Sequence, residues 1–561
     1  MSSEPGTVDL PPTAADEYAD QGLRRVLASF GLFPTEEDRE RRLNALRELE
    51  QLGALWVQQE VKKLQEAHEL GTSSEYGGVK IFTYGSFPLG VFTAKSDIDA
   101  LLVGPKYVTL EMFMSHFPDY VHEGDKSASV VPIPDARAPI IKMTFKNVDI
   151  DLMFAPMPLD YVDPALSIDG NDIMLHMKDS DPRTIRNLCG TRDTNIILKL
   201  VPQQRVFTNA LCFVRFWAKE RGITGNKVGL LANFTLAVLV ARVCCDHPQY
   251  NAAMVLLRFF HYYNTYDWSK PVMLCPVVQE EEVFGRTLEN TAFKSYTLNA
   301  YDLKLMPVLT PAFPTMNSTS HVNRGTFDLI KSEFARAAQR IDNEEFVSEH
   351  TWLLLCARTQ FFGPSPKVCR YRLFCCVSIL GTTGVPQEEF DEFKGFVESR
   401  LINIGSKVEA LASSSTHEEG AEPPKVLCHP LFESFKPKEM VDSFPEGIIK
   451  YNYAYFIGIL SSEPLSVLHD HLKRPIDDFM KGITKKKGDL NELREKGLVI
   501  NVGLIPFDMV PPSVRNESRS KAQVKMSHIR NSLEEVEKER KRRESQRSSS
   551  EPPDKRIKFA Q

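Results

Sequence analysis

Asp97 and Asp99 stand one isoleucine apart. In a strand, side chains alternate, so both carboxylates project from one face while Ile98 enters the core. Side by side they repel, and each holds its proton more tightly unless a cation lies between them. Mg²⁺ favours oxygen ligands, commonly one or two carboxylates plus substrate phosphates. A second pair, Asp149 and Asp151, falls inside the apolar run 148–154, where acids need an explanation. A site shared by Asp97, Asp99 and Asp151 supplies one. Three carboxylates on adjacent strands can hold two ions about 3.5–4 Å apart, one on an attacking hydroxyl and one on a leaving phosphate. Upstream runs Tyr84-Gly85-Ser86-Phe87-Pro88-Leu89-Gly90-Val91. A strand over 81–84 that ends on glycine can turn tightly and aim N–H groups at one spot. A serine hydroxyl at the start of a following helix adds a donor, and both suit a phosphate oxygen.

These residues need strands to carry them. Apolar runs at 79–84, 98–103, 140–145 and 148–154, divided by Gly, Pro and charge, predict a small mixed sheet with helices. Before them a long helix is expected over 36–70. Thr35 and Asp38 form its cap, and Leu43, Leu46, Leu49, Trp56, Val57, Val61 and Leu64 recur at helical spacing. Strongly apolar helices are expected at 206–220 and 230–243. Beyond about 349 the pattern alternates again: a strand over 370–380, a helix over 387–411, a Ser/Glu/Pro linker at 413–424, a strand over 451–460 and a helix over 465–483. That is a second α+β unit.

The 561 residues carry 74 acids against 68 Lys/Arg, so nucleic acid would have to be met by a local patch rather than by overall charge. The longest uncharged apolar stretch, 228–241, falls short of the ~20 residues of a membrane span. No secretory signal is expected at the N-terminus. The ten cysteines form no CxxC pair and read as reduced thiols of an intracellular protein. From Arg515 onward 14 Lys/Arg face 8 Asp/Glu, with clusters Arg540-Lys541-Arg542-Arg543 and Lys555-Arg556-Ile557-Lys558. Such a polar tail reads as disordered and as a nuclear-import signal.

Gly85-Ser86, Asp97-x-Asp99 and Asp151 match the signature of the nucleotidyltransferase superfamily. More finely, the chain resembles the eukaryotic nuclear poly(A) polymerases. The resemblance rests on residues 85–91, Asp97-Ile98-Asp99-Ala100-Leu101, Phe216-Trp217-Ala218-Lys219, Leu239-Val240-Ala241-Arg242, the run 305–314 and Asn317-Ser318-Thr319. It implies an α+β multidomain protein with a nucleotidyltransferase palm (a mixed sheet with helices), a helical middle domain and an RRM-like C-terminal domain. The boundaries drawn are a disordered N-terminus at 1–20, a catalytic domain with its leading helix at 21–160, the middle domain at 161–350, the RNA-binding domain at 351–510 and a disordered basic tail at 511–561.

The resemblance also implies the activity: template-independent addition of AMP from ATP to RNA 3′-hydroxyl ends, with two Mg²⁺ or Mn²⁺ ions. Asp97, Asp99 and Asp151 would be the catalytic, metal-holding acids. Tyr84, Gly85, Ser86, Thr93, Arg215, Lys219, Thr224, Asn233 and Phe234 would contact the nucleotide. Four places depart from the family pattern. Arg215 replaces a lysine, Thr224 a tyrosine, Cys189 an asparagine, and Ala232-Asn233 stands where two glycines are usual. Arg215 keeps the charge and changes its geometry. The implied partners are an RNA 3′ end, ATP, 3′-end processing factors and a nuclear import receptor, with no membrane and nuclear residence. A transferase of other base preference, such as a uridylyltransferase, and an inactive RNA-binding scaffold stay open as alternatives.

Overall fold

The computed structural model describes residues 10–518 apart from 72–75, 135–137, 298–304, 358–360, 363–366, 368, 415–425, 432, 443 and 462, and beyond 518 only scattered positions between 527 and 542. It divides into two compact units. One comprises residues 1–20, 27–216 and 230–322; the other 21–26, 217–229 and 323–561.

The first unit is built on a five-stranded sheet: β1 (Lys80–Tyr84), β2 (Ile98–Gly104), β3 (Ser129–Ile133), β4 (Ile140–Phe145) and β5 (Val148–Pro156), in the order β1-β2-β5-β4-β3. Only β2 and β5 run parallel; the other pairs are antiparallel. The mixed sheet is therefore as expected, with β3 an addition. The helix Glu36–Glu66 begins where Thr35 accepts the Asp38 N–H at 3.1 Å, and ends four residues before the expected bound. Its buried Leu46, Leu49, Trp56 and Val57 join Phe113 and Phe117 of the helix Leu110–Gly124 over Ile98, Ala100, Leu102, Leu152 and Phe154. Gly53 lets that helix approach the sheet, since a Cβ there would stand 3.2 Å from Leu102. The opposite face, with Leu101, Val103, Met153 and Ala155, packs on Ile185 and Leu188 of the helix Pro182–Leu200. Each fully buried large side chain is worth about 1.5–3 kcal/mol. The expectation that residues 1–20 are unstructured is corrected in part: Ala14–Ser29 is one helix, with Ala19, Leu23, Val26 and Leu27 buried along it. Residues 1–9 lie outside the described residues.

The second unit holds a four-stranded antiparallel sheet of β6 (Leu373–Thr382), β7 (Val426–Pro430), β8 (Ile449–Ser461) and β9 (Leu498–Pro506), in the order β7-β8-β6-β9. Helices follow β6 and β8, giving a β-α-β-β-α-β path. The expected helix over 387–411 is two, Gln387–Glu398 and Ile402–Ser414. At the break the Ser399 hydroxyl donates to the Phe396 carbonyl, 2.8 Å away. Such local bonds compete with the helix ladder. Alternate residues of β6 separate two cores. Leu373, Cys375, Val377 and Ile379 meet Phe390, Phe393, Leu472, Phe479 and Ile483 of the helices. Phe374 and Cys376, with Ala454 and Phe456 of β8, lie under Phe362, Phe435, Phe507, Val510 and Val514. Both faces of this sheet are thus covered by the unit's own side chains. None of the ten cysteines is in a disulfide. Among the described residues no helix is long and apolar enough to cross a membrane.

Candidate active site

Register, more than sequence spacing, brings the acids together. Tyr84 of β1 pairs with Asp99 of β2, and Asp99 pairs with Asp151 of β5. Because β2 and β5 are parallel and in step, the two carboxylates leave adjacent strands on the same face, with Asp97 two residues before Asp99. Asp97 is exposed, whereas Asp99 and Asp151 are half-buried. Burial, then the negative charges of Asp97 and Asp151, push the Asp99 carboxyl up to about 7, partly offset by Lys142 and Arg215. Burial and the same three acids drive the Tyr84 hydroxyl up as well. Such a crowded set of hard oxygen donors fits a divalent cation. It is not a ready cage: among the described residues no three ligating side chains converge as a preformed metal cluster. Asp151 is instead engaged by Lys142, whose Nζ lies 2.9 and 3.2 Å from its two oxygens. Asp149, the neighbouring strand acid, accepts the Thr144 hydroxyl at 2.7 Å.

The Gly85–Ser86 loop differs from the expected helix start. Residues 85–90 form successive turns rather than a helix. Gly85 sits at φ +71°, and a Cβ there would lie 2.7 Å from Asp99 Oδ2. Only glycine lets this loop cross the acid so closely. Its N–H is spent on Thr194 Oγ1 at 3.2 Å, so Gly85 shapes the loop rather than serving as a donor to a ligand.

Two cavities meet at Asp97. One, of about 410 Å³, is lined by Tyr84, Gly85, Ser86, Asp97, Asp99, Arg215, Asn233 and Phe234, together with Gly190, Asp193, Thr194 and Thr310. The other, of about 370 Å³, is lined by Lys95, Asp97, Ser129, Lys142, Thr144, Asp149 and Asp151. Arg215 reaches the first from the helix Gln204–Arg221 and donates through Nη1 to the Val91 carbonyl. Asn233 and Phe234 open the helix Asn233–Asp246, whose N-terminal dipole favours anions. Thr93 stands behind the wall, its N–H 3.0 Å from Ser96 Oγ. Lys219 and Thr224 belong to the other compact unit. Cys189 is buried, its thiol donating to the Ile185 carbonyl at 3.2 Å. Lys142 and Asp193 escaped the sequence reading. A lysine in an amphipathic strand and an aspartate in a helix carry no spacing signal of their own.

The comparisons agree with this geometry. Residues 7–201 match the family model of the poly(A) polymerase nucleotidyltransferase domain, and residues 206–358 that of the poly(A) polymerase central domain. Poly(A) polymerase PAPalpha of Candida albicans is 30% identical over 85% of this chain and 79% of its own length. PAPa of the same organism is 32% identical, over 78% and 73%. The poly(A) polymerase of Dictyostelium discoideum is 30% identical over 96% of this chain, which spans 62% of that relative's length. Among solved structures the Cid1 poly(U) polymerase aligns with a TM-score of 0.38 and 13% identity over 62% of this chain and all of that one, too slight a likeness to argue from. With the sheet register, the glycine loop and the acids all inside the first matched domain, and full-length relatives aligned across most of both chains, the chain belongs to the poly(A) polymerase family.

Proposed function

We propose that this chain adds AMP from ATP, without a template, to the 3′-hydroxyl of RNA and releases pyrophosphate, with two Mg²⁺ or Mn²⁺ ions. The observation that carries this reading is the in-register pairing of Asp99 with Asp151 beside the Gly85 turn. Asp97 and Asp99 would hold both ions and Asp151 the one beside the acceptor hydroxyl; bound there, they lower that hydroxyl's pKa and offset charge on the leaving phosphate. Ser86 and Arg215 face the triphosphate, with Arg215 already cationic and held by Val91. Phe234, half-buried in the cavity wall, offers a ring to the base. Lys142, on the acceptor side with Asp151, is placed to meet an RNA phosphate once its carboxylate partner engages a cation.

The second unit reads as the RRM-like, RNA-binding part, supported by its β-α-β-β-α-β path and antiparallel order. With both sheet faces covered, RNA would be held by backbone contacts at its rim rather than by bases stacked on the sheet. The domain divisions drawn from the sequence at 160, 350 and 510 are kept as part of this proposal. So are nuclear residence and contact with 3′-end processing factors and an import receptor; several relatives bear the printed name nuclear poly(A) polymerase. The test is extension of one RNA primer with each of the four NTPs separately, with Mg²⁺ and with a chelator. Metal-dependent extension with ATP alone is expected. Preference for UTP would overturn the ATP assignment, and no extension with any NTP would overturn the reading as a transferase.

A further inference from the structure

We infer that Asp193 reads the base of the incoming nucleotide, accepting a hydrogen bond from the 6-amino group of adenine and so setting ATP apart from UTP. This rests on the reading of the ~410 Å³ cavity as the nucleotide pocket. Among the charged residues lining that cavity, Asp97 and Asp99 serve the metal and Arg215 the phosphates; Asp193 is left without a task. It is only 6% exposed. Its Oδ1 accepts the Ala312 N–H at 2.8 Å, which fixes the carboxyl plane, and among the described residues its second oxygen takes no hydrogen bond. The adjacent Arg192 does not close a pair with it. That guanidinium is donated to the carbonyls of Ile168, Phe313 and Gly170 and to Asn171 Oδ1. That second oxygen is not among the sealed polar atoms without a partner, so it opens on the cavity, where it can accept a donor from a ligand.

The donor belongs to the nucleoside, since a triphosphate offers none and would repel an acid. The base is favoured over the ribose because the carboxyl is tied to the backbone of Ala312 and shares the cavity wall with Thr310, whereas Asp97 and Asp99 belong to the strand side of the cavity. Thr310, two residues before the anchored Ala312, lines the same cavity and would be held in place by the same bond. Adenine presents an amino donor at the end of its pairing edge where uracil presents an acceptor oxygen. A site built around a hydrogen bond rejects analogues that lack it far more strongly than a shape-only pocket does.

The variant Asp193→Asn separates this role from a structural one. Its amide oxygen still accepts the Ala312 N–H, while its NH₂ replaces an acceptor by a donor toward the ligand. Equilibrium binding of ATP, UTP, 2′-deoxyATP and purine riboside triphosphate to the full chain, with Mg²⁺ at pH 8.5, is the measurement. At that pH the carboxyl, raised to about 7 by burial, is ionised. The wild type is expected to bind ATP at least about tenfold tighter than UTP or purine riboside triphosphate, and about as tightly as it binds 2′-deoxyATP. D193N should lose that margin with a melting temperature no lower than the wild type's, since it removes a carboxylate whose ionisation burial opposes. If D193N melts lower, Asp193→Ser, which removes the second oxygen, should still erase the preference for ATP over purine riboside triphosphate. An ATP-to-UTP ratio unchanged in both variants overturns the inference while the transferase reading stands, as does a loss that tracks the 2′-hydroxyl instead of the 6-amino group. A wild type that binds no NTP overturns both.

Discussion

At the scale of single residues, the acids were legible because carboxylates spaced by two in an apolar strand have few other uses. Asp151 was expected beside them, but the register that brings it there and its ion-pair partner Lys142 were not legible. Asp99 meets Asp151 only because β2 and β5 are parallel and in step, and Lys142 meets Asp151 only because β4 is antiparallel to β5. Cross-strand register of this kind leaves no mark on the sequence around either residue. The crowding has a measurable consequence. Asp99 is raised to about 7 in the folded protein, first by burial and then by Asp97 and Asp151, against about 3.9 in an unfolded chain. Between those values the folded state keeps a proton that the unfolded state releases, so this group makes the metal-free protein less stable as pH rises from about 4 to about 7. Asp99→Asn removes the effect. Its melting temperature in chelator should equal that of the wild type near pH 4, exceed it increasingly up to about pH 7 and by a constant margin above, while kcat falls by roughly a thousandfold, about 4 kcal/mol of lost transition-state stabilisation. A constant offset at all pH values would show that Asp99 does not carry the repulsion.

At the scale of elements, the long helix from Thr35 and four of the five strands of the first sheet were readable from caps and apolar runs. β3, β7 and β9 were not. β7 is five residues with a histidine and a closing proline, and β9 is buried mostly at its first residues, so neither shows clean alternation. What seats β7 is a side chain rather than a pattern. The buried Glu409 accepts the N–H groups of Arg324 and Gly325, both at 2.8 Å, and of Cys428 at 3.4 Å. It thereby ties the first turn of the helix Arg324–Asp342 to the middle of β7. Gly325 permits the contact, since a Cβ there would fall 2.4 Å from the Cys428 carbonyl. A carboxylate suits a helix N-terminus. Glu409→Ala leaves those amides buried without their acceptor and should cost about 2–4 kcal/mol in denaturant unfolding of the second unit, with Glu409→Gln intermediate. An effect below about 1 kcal/mol would mean that water replaces the carboxylate.

At the scale of the whole molecule, composition and charge excluded a basic coat protein and a membrane span. They also singled out the tail, most of which lies outside the described residues. Neutralising Arg540–Arg543 together with Lys555, Arg556 and Lys558 should leave primer extension in vitro nearly unchanged and move a tagged protein to the cytoplasm. A protein that stays nuclear yet extends RNA poorly would make the tail an RNA arm instead. The second unit's architecture was legible as α+β, but the closure of its sheet was not, because the covering residues Phe362, Phe435 and Phe507 come from separate segments. That closure bears on motion. A strand whose bases are stacked on aromatic platforms must break each stack, about 1–3 kcal/mol per base, before it advances by one position. A strand held through its phosphates meets the same contacts after every step and moves along an almost level energy profile. Under the proposed activity, in which the RNA would shift by one nucleotide per cycle, a second unit with its aromatic face buried would remove a source of friction.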